Sequence, residues 1–60
     1  MAYEEILIET TKYGPALRVV AIHVATGTEI VFQTPLNTGR PAIQKLALEK
    51  MRYVLEKRKN

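Results

Sequence analysis

The residues able to do chemistry are few. The chain has one histidine, His23, and six carboxylates, all glutamate; it has no serine, cysteine, aspartate or tryptophan. Serine and cysteine nucleophiles are therefore excluded, as is any carboxylate pair containing aspartate. Glu4, Glu5 and Glu9 are spread along an extended stretch and read as solvated edge charges rather than an acid–base pair. His23, with Glu29 across a turn, supplies fewer than the three or four ligands a metal site needs. Thr26-Gly27-Thr28 is not a phosphate-cradling loop, because no lysine follows at the required spacing and no helix opens there. No catalytic residue, metal or cofactor is assigned, and the chain is expected not to be an enzyme.

Charge gives a second kind of chemistry. The net charge is +3, and the basic excess gathers at the C-terminal end in Lys50, Arg52, Lys57, Arg58 and Lys59. Lys57, Arg58 and Lys59 could contact phosphates, so nucleic-acid binding is one reading. The same three cations also suit the negative pole of a helix dipole, and that is the preferred account. The aromatic residues Tyr3, Tyr13, Phe32 and Tyr53 do not define a stacking platform, because Glu5 and Glu9 share a sheet face with Arg18.

These residues must be positioned by a helix and a small sheet. Pro41 to Arg58 has a helical period. At about 100° per residue its apolar side chains cover more than half the circumference, wider than the stripe a surface helix needs. They divide into two sub-faces. Ala47, Leu48, Met51 and Leu55 form one, and Ala42, Leu46 and Tyr53 the other. Ile43 and Val54 lie between, and Lys50 can lay its methylenes along the divide. One sub-face covers the chain's own sheet; the other needs a partner. Thr38 as N-cap places Pro41 in the first turn; a start at Arg40 with Pro41 at N1 is the close alternative.

The rest reads as three strands, about residues 4–13, 16–24 and 28–34, with the helix over about 39–58. Gly14-Pro15 and Ala25-Thr26-Gly27 are the breaks, and Pro35 ends the third strand. The middle strand is apolar on both alternate sets, the pattern of a strand covered on both faces. A two-residue loop at Gly14-Pro15 sets Tyr13 opposite Ala16, Ile8 opposite Ala21 and Ile6 opposite His23. An even second loop, preferred because it leaves Glu29 and Gln33 on the less apolar face, puts Ile30 and Phe32 with Ile6, Ile8, Leu17, Val19 and Ala21; a three-residue loop with a bulge at Gly27 would move them to the other face. One helix can cover that face. It leaves Leu7, Val20, Ile22 and Val31 behind.

The fold expected is thus α+β: a three-stranded antiparallel meander, then one long C-terminal helix packed on the sheet, a β-β-β-α single domain over residues 1–60. Sixty residues bury about 5,900 Å² on folding. The apolar part of that burial and the ordering entropy nearly cancel, so a monomer is marginal. With no cysteine there is no disulfide to help. A homodimer is therefore expected, with Leu46, Lys50 and Tyr53 on the helix and Val20 and Ile22 on the sheet as interface residues. Absence of a signal peptide, a membrane span or cysteine points to a cytoplasmic protein with no membrane contact.

The layout Leu7-Ile8-Glu9, Leu17-Arg18-Val19, Ala21-Ile22, Ala25-Thr26-Gly27-Thr28-Glu29-Ile30, Ala47-Leu48 and Tyr53-Val54-Leu55 with a basic end resembles a family of short uncharacterised bacterial proteins. The resemblance covers most of the chain and implies three strands plus a C-terminal helix. It carries no activity and no site residue.

Overall fold

Two glycine turns divide the first half of the chain, and each piece between them becomes a strand. The computed structural model describes residues 5–58. Strand β1 is Ile6–Tyr13, β2 is Ala16–His23 and β3 is Thr28–Pro35. They form one antiparallel sheet in the order β1-β2-β3, and helix α1, Arg40–Arg58, packs against it. This is the α+β meander-plus-helix expected from the sequence.

The register follows from the turns. Gly14 has φ 61° and is the first of two loop residues. Pro15 is confined to negative φ by its ring, so the loop has the II′ pattern that suits a twisted hairpin. It sets Tyr13 opposite Ala16, Ile8 opposite Ala21 and Ile6 opposite His23. The second connection, Val24 to Gly27, holds an even number of residues and has Gly27 at φ 74°. It places Ala21 opposite Ile30 and Val19 opposite Phe32. Ile30 and Phe32 therefore share a face with Ile6, Ile8, Val19 and Ala21, as the parity argument required.

That face carries the core. Val19, Ala21, Ala47 and Met51 are fully buried, and Ile43 nearly so. Ile6, Ile8, Ile30, Phe32 and Leu55 are partly buried around Ala21, Ala47 and Met51. Small methyl groups at Ala21 and Ala47 let the helix approach the sheet closely, and Met51 fills the space beside them, a use suited to its flexible thioether.

Several boundaries differ from expectation. Glu5 lies outside β1, Glu4 lies outside the described residues, β2 stops at His23, and β3 runs through Pro35. Pro35 is accommodated as the terminal residue of an edge strand, where a missing N–H interrupts little. Thr38 is not the helix cap. Its N–H donates to the Pro35 carbonyl in a turn, while the Gly39 carbonyl accepts the first helical bond, from Ile43. Gly39 is thus the N-cap and Pro41 the second helical residue, still among the positions whose N–H needs no partner. Among the described residues, a helix covers β2 on one face only, and Val20 and Ile22 are half-buried on the other.

Candidate interaction surface

The helix is one layer and the sheet has two faces, so apolar surface remains in two places. The first is the sheet face turned away from α1. Leu7, Val20, Ile22 and Val31 lie together there by register, since Leu7 pairs with Ile22 and Val20 with Val31. Leu7 is 53% and Val31 51% exposed. Glu9, Arg18, Glu29 and Gln33 share this face and give it mixed charge.

The second is an open groove of about 550 Å³ between β3 and the C-terminal half of α1. Ile30, Val31, Phe32, Lys50, Tyr53 and Val54 line it. The helix geometry explains why it is open. Ile43, Ala47 and Met51 recur every four residues and all point into the core. Tyr53, two positions beyond Met51, is rotated well away from that line and is 62% exposed. The Lys50 ammonium stands 5.4 Å from the Phe32 ring centroid, and the Lys57 ammonium 5.3 Å from that of Tyr53. Both are within reach of a cation–π attraction. Each cation can be held against an aromatic face without losing water.

The residues anticipated for an interface thus fall into two groups. Leu46 is half-buried and Lys50 and Tyr53 are exposed along α1, with Lys50 and Tyr53 in the groove. Val20 and Ile22 are on the opposite side of the sheet. Ile43 belongs to the inward line rather than the boundary between sub-faces, because it is 5% exposed. Of the basic end, Lys57 is an exposed helical residue turned toward Tyr53. Arg58 ends the helix, and Lys59 lies outside the described residues.

His23 has a role that residue types alone did not show. It is 6% exposed, and its Nδ1 is 2.8 Å from Thr26 Oγ1. Thr26 Oγ1 is also 2.8 Å from Thr28 Oγ1 and accepts the Thr28 N–H at 3.3 Å. The Gly27 N–H donates to the His23 carbonyl at 2.8 Å. His23 therefore fastens the second turn. Glu29 is not beside it: His23 pairs with Thr28, and Glu29 pairs with Ile22 on the other face. The signal available in the sequence was His-x-x-Thr-x-Thr across a glycine turn, a spacing that lets short hydroxyls fold back on the turn. Among the described residues no cluster of three or more His, Cys, Asp or Glu could hold a metal ion.

This architecture has a counterpart in sequence. The family model described as a domain of unknown function (DUF6898) matches residues 3–58. The chain belongs to this family. The match spans all three strands and the helix. No curated protein and no solved structure matches the chain. Among the described residues no helix is long and apolar enough to cross a membrane.

Proposed function

We propose that this family member is a small cytoplasmic homodimeric interaction module with no catalytic chemistry of its own. The observation that carries the reading is surplus apolar surface on both sides of a two-layer domain. Leu7 and Val31 are exposed beside Val20 and Ile22 on one side, and Tyr53 is exposed beside an apolar groove on the other. A contiguous apolar patch of this kind marks an interaction site more often than chance exposure. A cysteine-free chain suits a reducing compartment.

The test is mass in solution. Light scattering on an eluting peak should give twice the 6.8 kDa chain mass. A chain that is folded cooperatively and monomeric at several hundred micromolar would refute the reading. Nucleic-acid binding through Lys57, Arg58 and Lys59 is the second reading, and of these side chains the structure describes only Lys57, which leans on Tyr53.

A further inference from the structure

We propose that the second copy docks along the outer edge of β3, so that the two sheets join into one of six strands and each groove is closed by the other copy's Tyr53. The inference rests on the homodimer reading and specifies its geometry.

The first argument is the edge itself. In the order β1-β2-β3, the outer backbone groups of β3 have no strand partner among the described residues. Natural edge strands are commonly blunted by lysine, proline or inward charge. β3 has a single charged residue, Glu29 next to its start, none from Ile30 to Thr34, and its one proline is at its end. The opposite edge, β1, carries Glu9 and Lys12. The groove opens beside β3, so apolar contact is available next to the edge where main-chain pairing would occur.

The second argument is register. An antiparallel pairing of β3 with its own copy across a twofold axis must match residues of the same face. The proline-free part of the strand, Thr28 to Thr34, is centred on Val31. An axis at Val31 sets Val31 against Val31 of the second copy, Ile30 against its Phe32 and Glu29 against its Gln33. Apolar residues then meet on the helix side. The two Glu29 carboxylates are kept four residues apart along the ladder, on the order of 13 Å. Each Pro35 falls beyond the paired stretch, opposite Gly27 of the second copy.

The third argument is fit. Three strand spacings of about 4.8 Å put the two helices roughly 14 Å apart. That exceeds the 8–10 Å of direct helix packing. The joined sheet thus leaves a trough between helices that only large side chains can fill. Tyr53 is large, exposed and aimed beside that trough, and the groove lined by Ile30, Phe32 and Val54 would receive its counterpart. Seven paired residues are about 24 Å long, and sheet plus helix are about 20 Å deep. The contact is therefore about 480 Å² per copy before side chains interlock. The total lies near the roughly 1,000 Å² that a specific interface should clear, and insertion of Tyr53 carries it over.

The test uses the absence of native cysteine. Directly opposed residues in an antiparallel pair have Cα atoms about 4.5–5.5 Å apart, within disulfide range. Val31→Cys should cross-link to itself under mild oxidation. Glu29→Cys and Gln33→Cys should not when present singly, but should when both are in one chain. Val31 is half-exposed, so the substitution spares the core. Tyr53→Glu, with helical and strand content checked by circular dichroism, should weaken association at least tenfold. A protein that scatters as a dimer yet gives no disulfide at position 31, or keeps its dimer with Tyr53→Glu, overturns this geometry while leaving the homodimer intact. A folded monomer overturns both.

Discussion

Met51→Ala offers the most direct check on how the two layers are held together. Met51 is fully buried and, with Val19, the largest side chain that is. Its closest companions in the core are Ala21 and Ala47. Neither has a side chain beyond Cβ, so neither can reorient to occupy the vacated space. Ile6, Ile8, Ile30, Phe32 and Leu55 stand around the rim, only partly buried, and can lean inward to recover part of it. Buried Met→Ala changes cost roughly 2–5 kcal/mol according to how far the site collapses. A mobile rim around an immobile floor argues for about 3 kcal/mol. A domain of this length has roughly 3–9 kcal/mol in total, so the variant should lose a third or more of its stability. At about 4–8 °C per kcal/mol for a small domain, the melting midpoint should fall by roughly 12–24 °C. The assay is a thermal melt followed by circular dichroism, with protein concentration held equal because association raises apparent stability. Gln44→Ala, at an exposed helical position, is the control and should move the midpoint little. A Met51→Ala protein melting within about 3 °C of the parent, a change under ~1 kcal/mol, would refute the placement of Met51 at the centre of the core.

Two further outcomes follow from single atoms and angles. The Thr34 hydroxyl is buried with no hydrogen-bond partner among the described residues, so Thr34→Val, which keeps the shape and removes the polar atom, should stabilise by about 1 kcal/mol in urea unfolding. A loss of stability instead would mean the hydroxyl is satisfied. At Gly14 and Gly27 a Cβ would meet nothing within 4 Å, yet both have positive φ, so alanine at either should destabilise by about 1 kcal/mol through the backbone alone. Denaturant midpoints equal to the parent's would contradict that assignment.

The sheet was legible because its information is local and discrete. Gly14-Pro15 permits one short turn, and a turn fixes every opposed pair along β1 and β2. The parity of the second loop then decides the face of Ile30 and Phe32. The helix was legible as a helix but only partly as a surface. Its apolar residues span so wide an arc that period alone does not say which line faces inward, and Ile43 rather than Leu48 joined Ala47 and Met51 as the buried line. The cap was missed because Gly39 contributes only a carbonyl, which no side-chain pattern announces. Apolar alternation on both sets of β2 suggested two covers; the described residues hold one helix, and the second set, Val20 and Ile22, is only half-buried. The His23–Thr26–Thr28 network was hidden for a different reason: three hydroxyl and imidazole groups became neighbours only once the four-residue turn had its shape.

The element order has a consequence during synthesis. Every strand pairs with its neighbour in the chain, so the sheet can zip up as soon as Pro35 has emerged. The side chains that cover it, from Ile43 to Leu55, come later in the chain. At about 5–20 residues per second, the twenty residues between Pro35 and Leu55 take roughly 1–4 s to be made. Throughout that interval the nascent sheet has no lid on either side, and Ile8, Ala21 and Ile30 are as open to strangers as Leu7 and Val31. The chain's exposure to misassociation is therefore greatest just before its own helix arrives, and the rate at which Ile43 to Leu55 is delivered sets how long it lasts.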